Sequence, residues 1–218
     1  METRVKICCM ASVDEAHTAI RLGAAAVGLV SRMPSGPGPI EEELIATIAA
    51  AVPRGVDTFL LTCETRPTEI IAQQRRTRVT TLQLVDRVED GAHRALREAL
   101  PGTNIVQVIH VTGDDSFEEA MALAPDVDAL LLDSGNPSLP VKELGGTGRS
   151  HDWAISRRIV ESSPVPVWLA GGLNASNVAE AIATVQPFGV DVCSGVRTDG
   201  RLDVEKLAAF MEKTRQTK

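Results

Sequence analysis

The sequence predicts an α/β fold: one (β/α)8 barrel of the TIM type spanning 1–218 as a single domain. Three observations predict it. Eight short apolar runs alternate strictly with eight helix-period segments, which implies parallel strands joined by right-handed crossovers. The length of 218 residues approaches the ~250 typical of one such barrel. The strands are of near-equal length, and no Gly-x-Gly-x-x-Gly follows the first, which favours a closed sheet over an open dinucleotide-binding one. No linker or low-complexity tract divides the chain.

In order, the strands are expected at 5–9, 26–30, 58–61, 79–84, 105–110, 129–132, 165–170 and 190–193. Each is rich in Val, Ile or Leu and too short for a helix. The helices are expected near 13–22, 41–51, 67–75, 90–99, 116–124, 152–162, 175–185 and 203–214. Ser12 ahead of Val-Asp-Glu and Asn174 ahead of Ala-Ser-Asn read as helix starts, and Pro67 suits a first turn. The longest loops, 31–39 and 134–148, follow the second and sixth strands. Both fall on the C-terminal side of the sheet, where barrels build their active sites. Trp153 and Trp168 read as packing residues.

Composition narrows the function. Hydrophobic residues make up 44% and charged residues 23%, enough for a sizeable core. A net charge of −7, no Tyr, four Phe and two Trp give little to attract phosphates or stack bases, so nucleic acid is not an expected partner. No stretch reaches the ~18 apolar residues of a membrane span, and the opening METRVKICCM has no long apolar run of a signal peptide. Cys8, Cys9, Cys63 and Cys193 have no metal-ligand spacing, and no disulfide framework is expected of them. The expectation is a cytoplasmic chain, monomer or homodimer, with no bound metal.

Three glycine-bearing segments converge on the C-terminal end of the barrel: Gly145-Gly146-Thr147-Gly148, Gly171-Gly172 before Asn174, and Ser194-Gly195. Glycine lets backbone N–H groups approach an anion, and the seventh and eighth βα loops of barrels commonly hold phosphate. Each glycine by itself is equally accounted for by a tight turn. Cys8 and Asp133 end the first and sixth strands. They are either a small buried hydrophobe and a loop-capping carboxylate, or a base and an acid across a small-molecule site. Side-chain alternation lets only one of Cys8 and Cys9 face the mouth. Lys6 either lines the lumen beside Cys8 or pairs with a core carboxylate such as Asp191; His110 and Arg32 either touch substrate or are ordinary surface groups.

These motifs resemble the phosphoribosylanthranilate isomerase family of tryptophan biosynthesis. Lys6-Ile7-Cys8 is similar to its N-terminal Lys-Ile-Cys, and Leu131-Leu132-Asp133-Ser134 with Gly145-Gly146-Thr147-Gly148 and Asp152-Trp153 to its sixth-strand block. Residues 169–174 with Asn177-Val178, and then 187–196, resemble its phosphate-binding blocks. The likeness is strong over about 127–214 and the first βαβ unit, and weak over about 33–125. It implies Cys8 as general base, Asp133 as general acid, and a phosphate held by Gly146, Gly172, Ser194 and Gly195. It also implies Lys6 and Arg32 as candidate substrate-binding cations, and an Amadori rearrangement of a phosphoribosyl amine without metal or organic cofactor. An ordinary Cys is mostly thiol at neutral pH, so the site must favour the Cys8 thiolate, and Lys6 is the nearest group in sequence to do so.

The chain departs from the family at three places. The family's Arg after strand two is absent from Ser35-Gly36-Pro37-Gly38-Pro39. Its Gln-Leu-His-Gly at strand four becomes Gln83-Leu84-Val85-Asp86, and the Gly after its Cys becomes Cys9. Losing a guanidinium forfeits a charge-assisted contact of roughly 1.5–3 kcal/mol unless another cation, such as Arg32, replaces it. Two alternatives therefore stand beside the isomerase reading: a same-fold isomerase of a different phosphorylated sugar or amine, and a non-catalytic barrel that binds a phosphate ligand.

Overall fold

The computed structural model describes residues 3–136, 138–145 and 151–216. Eight parallel strands close into a barrel in chain order, and β8 pairs back with β1. They are β1 (Arg4–Ile7), β2 (Ala26–Val30), β3 (Asp57–Thr62), β4 (Thr81–Leu84), β5 (Asn104–His110), β6 (Ala129–Asp133), β7 (Val167–Leu169) and β8 (Gly189–Val192). Between and after them run α1 (Val13–Arg21), α2 (Glu42–Ala51), α3 (Pro67–Thr77), α4 (Ala92–Ala99), α5 (Asp115–Leu123), α6 (Trp153–Ser162), α7 (Val178–Val185) and α8 (Val204–Arg215). This is the (β/α)8 barrel expected from the alternation. Among the described residues no helix is long and apolar enough to cross a membrane.

The strands are buried on both faces, and the period of two sorts their side chains into two cores. Val5, Ile7, Leu130, Leu132, Val167, Leu169, Val190 and Val192 point out against the helices. Phe59, Val106, Val108, Leu131 and Trp168 fill the lumen. There the Trp168 ring meets Phe59 edge-on at 5.8 Å and Phe188 at 5.4 Å. The same alternation sends Lys6, Leu131, Trp168 and Asp191 inward. It leaves Cys8, Asp133, Ala170 and Cys193, two residues further on, at the open C-terminal rim.

Helix starts follow their side-chain chemistry. Ser12 Oγ accepts from the Glu15 N–H at 3.1 Å, and Pro67 occupies the first turn of α3. Asp152 caps α6, and Asp203 accepts from two N–H groups of α8. Several boundaries shift, three of them with a clear local cause. β4 begins at Thr81 because Thr58 and Thr80 replace ladder bonds with side-chain ones: each hydroxyl accepts from the other's N–H, at 3.0 and 2.9 Å. β7 begins only at Val167, after Pro166, which has no N–H to give the ladder. Asn174 does not open α7. Its Oδ1 accepts from Ser176 N–H at 2.8 Å, making a separate turn, and the helix starts at Val178 after Asn177.

Candidate active site

The strand ends and βα loops enclose a cavity of about 700 Å³, open mouth included, at the C-terminal end of the barrel. Cys8, Cys9, Gln83, Asp133, Asp191 and Cys193 supply its polar side chains from the barrel, and Gly145, Gly171, Gly172 and Ser194 supply its glycine-rich rim. Over it fold the two long loops: Ser35 and Pro37 line one side, and the Ser35 hydroxyl donates to the Lys142 carbonyl at 2.6 Å. Cys8 and Asp133 thus share one cavity, as strand-end placement anticipates.

Asp133 is buried at the end of β6. Burial pushes its carboxyl above the usual carboxylate range, while the Ser134 N–H, donating to Oδ1 at 2.7 Å, pulls the other way. Gly145 is obligatory beside it, because a Cβ there would lie 2.6 Å from Asp133 Oδ2, at a φ of +133°. Cys8 sits against Gly28. A Cβ at Gly28 would be 2.8 Å from the Cys8 sulfur and 3.1 Å from Lys6 Nζ, so glycine leaves room for thiol and ammonium together.

Lys6 lies behind the cavity wall rather than in it. It is fully buried, donates to Asp191 Oδ2 at 2.7 Å, and holds its ammonium 5.2 Å from the centre of the Phe59 ring. Burial works against its charge, yet Asp191, and next Cys8, outweigh it and hold its pKa above the ordinary lysine value. The pairing with a core carboxylate is the reading the structure favours over a substrate contact. Arg32 is not brought to the cavity either: the chain turns after Val30, Ser31 bonds to the Leu61 carbonyl, and Met33 takes the inward place. Arg32 instead borders an outer depression with Pro39 and Glu41. Among the described residues lining the cavity there is no Lys or Arg.

Two strand-end residues turn elsewhere. His110 is buried with Nε2 2.9 Å from the Val85 carbonyl, and it borders a separate depression near Asp86 and Arg87. Val85, where the family carries His, lines the cavity, whereas Asp86 turns outward to an ion pair with Lys142. Gln83 and Asp191 were not singled out as cavity residues by sequence reasoning, although both face it. Gln83 Oε1 and Asp191 Oδ1 are buried there without a hydrogen-bond partner. The inward parity of β4 and β8 is the signal that finds them.

The phosphate expectation divides among three turns. Gly172 lines the cavity with φ +63°, and its carbonyl accepts from the side-chain amides of Asn174 at 3.3 Å and Asn177 at 3.0 Å. Ser194 and Gly195 follow β8 in a single 3-10 turn. A Cβ at Gly195 would lie 2.0 Å from the Leu173 carbonyl, so the two turns touch and only glycine fits. Gly146 lies outside the described residues.

Cys9 overturns one expectation. Alternation allows only one of the adjacent cysteines at the mouth, but both line the cavity. Strand β1 ends at Ile7, and Cys9 adopts a left-handed φ of +64°, which breaks the period of two and swings a second thiol inward. Among the described residues no group of His, Cys, Asp and Glu is arranged to hold a metal ion.

Comparison with known proteins agrees with this geometry. The family model described as N-(5'-phosphoribosyl)anthranilate isomerase matches residues 5–213. A relative of that name from Methanocella arvoryzae is 34% identical over 217 residues, covering 99% of this chain and 100% of its own. The crystal structure of phosphoribosyl anthranilate isomerase from Thermotoga maritima superposes with a TM-score of 0.84 at 26% identity, covering 98% of this chain and 99% of that one. A second, of a phosphoribosyl anthranilate isomerase in complex with reduced 1-(o-carboxyphenylamino)-1-deoxyribulose 5-phosphate, gives 0.82 at 25% identity, with coverage of 98% and 99%. With Cys8, Asp133, Gly172 and Ser194 at one cavity and the match running nearly end to end, the chain belongs to the phosphoribosylanthranilate isomerase family.

Proposed function

We infer that this protein is a phosphoribosylanthranilate isomerase of tryptophan biosynthesis, converting an aminoaldose phosphate to an aminoketose phosphate. The carrying observation is that Cys8 and a buried Asp133 with a raised pKa face one cavity whose rim is the touching Gly172 and Ser194–Gly195 turns. Asp133, whose proton burial holds more tightly, gives that proton to the furanose ring oxygen as the ring opens to a Schiff base. Cys8, as thiolate, removes the proton from C2′, and the enolamine tautomerises to the ketone. The substrate's own iminium is the electron sink, so these steps call on no cofactor. Lys6, held cationic by Asp191, places a fixed positive charge beside the sulfur that carries the negative one. The N–H groups of the Gly172 and Ser194–Gly195 turns hold the phosphate, and Gly146 belongs to the same proposed phosphate set. Each chain builds the whole cavity, which suits a monomer or a homodimer equally, and a reducing cytoplasm keeps its thiols free.

The test is direct: purified protein supplied with phosphoribosylanthranilate should quench anthranilate-type fluorescence with saturation kinetics. Cys8→Ala and Asp133→Asn should each slow this by ~10²–10⁴; near-wild-type rates in either variant remove that residue's role. A second reading has its own observation, the absence of Lys and Arg among the described cavity-lining residues. It holds that a different, uncharged amine occupies the aromatic half of the site. Tight binding of inorganic phosphate with no turnover of phosphoribosylanthranilate decides for it.

A further inference from the structure

Two thiols that the isomerisation does not use face each other on the cavity wall. Cys9 Sγ and Cys193 Sγ are 2.7 Å apart although 184 positions separate them in sequence. That is inside sulfur–sulfur van der Waals contact and about 0.7 Å beyond a disulfide bond length. Cys9 reaches this position only through its left-handed φ of +64°, a region that penalises any residue with a Cβ. The loop above has adapted to it as well: a Cβ on Gly38 would lie 2.6 Å from Cys9 Cβ and 3.0 Å from its sulfur. Arg197 clamps the same corner, donating to the Cys9 carbonyl, to the Cys8 carbonyl at 3.4 Å and to Glu15 at 3.0 Å.

We propose that Cys9 and Cys193 are a reversible dithiol modification site whose reactant is a low-molecular-weight disulfide. Cys193 is the entry nucleophile: it is partly exposed on the cavity wall, and Cys9 is buried. The hydrogen bond between the two thiols, and then the Arg197 charge, hold the Cys193 thiol below its ordinary pKa, and the same bond pushes Cys9 up. The Cys193 thiolate attacks one sulfur of RS–SR, the S–S bond breaks, and RS⁻ leaves and takes up a proton. Cys9 then loses its proton to solvent and attacks Cys193 Sγ. The protein S–S bond forms, and the second RS⁻ departs. Two protein thiols are oxidised while one small disulfide is reduced to two thiols. The new bond joins the residue after Cys8 to the residue before Ser194, so oxidation slows isomerisation. That consequence rests on the isomerase reading; the cross-link does not.

The full-length protein is equilibrated in glutathione–glutathione disulfide mixtures of increasing oxidation, quenched with acid and alkylated. Four free thiols in the reduced chain should fall to two, with peptide mapping showing Cys9 joined to Cys193, dithiothreitol reversing it, and turnover falling at least tenfold in step. Cys9→Gly, suited to the left-handed φ, and Cys193→Ser should each lose the cross-link; circular dichroism confirms that both fold. The proposal is overturned if all four thiols survive oxidation, if Cys8 or Cys63 carries the cross-link, if glutathione stays on Cys193 unresolved, or if the cross-linked enzyme turns over at the reduced rate. A protein that forms the cross-link yet never converts phosphoribosylanthranilate keeps the site and loses the isomerase reading.

Discussion

The surroundings of Asp133 raise the pKa of its carboxyl. It lies at the C-terminal end of a fully buried strand, and burial outweighs the Ser134 N–H and the favourable His110 and Lys6 charges, so its pKa rises. Raised above the unfolded value of 3.8, the carboxyl binds its proton more tightly in the folded chain. Its stabilising contribution is therefore complete below pH 3.8 and is lost as pH rises through the folded value. With Asp133 as the proposed general acid, turnover has the same sign, since a general acid must be protonated. kcat/KM should fall along an alkaline limb set by the raised pKa of Asp133. Asp133→Asn should abolish that limb along with most of the rate, and should flatten the urea midpoint against pH over the same interval; a limb that persists in Asp133→Asn belongs to another group. Asp133 and Cys8 were legible because strand ends and alternation both follow from the chain's apolar pattern. The thiol pair was not, because a positive φ at a non-glycine residue leaves no mark in composition or period. Cys9 stands out only against the family's glycine at that place.

At the scale of elements, the eight strands and eight helices were each legible, because short Val-, Ile- and Leu-rich runs alternate with amphipathic segments throughout. The ends shifted where local bonds compete with the ladder, as at Thr80, or where a side chain caps a turn other than the helix, as at Asn174. The glycine rim proposed to hold phosphate shows how elements cooperate. The turn after β7 and the turn after β8 touch at Gly195, whose missing Cβ leaves room for the Leu173 carbonyl and for Asn174. Alanine at 195 pushes those turns apart and dislocates N–H groups on both. Gly195→Ala should weaken inorganic phosphate binding by about tenfold or more, the loss of one charge-assisted contact, and raise KM further than it lowers kcat. Calorimetry with phosphate alone reads the first and steady-state kinetics the second. Unchanged phosphate affinity would show that the anion sits elsewhere on the rim.

A barrel is complete only when its last strand finds its first, and here the closing seam carries a charge pair. Lys6 and Asp191 are register partners on β1 and β8, both inward, with the ion pair at 2.7 Å directly beneath the cavity. The sequence offered this pairing as one of two readings of Lys6, and the strand register makes it the geometric one. Burying two charges costs desolvation that their attraction does little more than offset, so the pair adds little net stability, but removing one partner strands the other. Lys6→Met should cost roughly 3–5 kcal/mol, a large part of the ~5–15 kcal/mol that holds a typical domain folded. The urea midpoint should fall accordingly with the slope unchanged. Adding Asp191→Asn should recover much of that loss, because the stranded charge is gone. The pair also borders the cavity above it: Asp191 lines that cavity and keeps a second oxygen without a hydrogen-bond partner, and Lys6 sets its charge beside Cys8. The recovered double variant should therefore fold well and still turn over far more slowly than the parent. If folding and turnover recover together, the seam charge closes the barrel and does nothing for the chemistry.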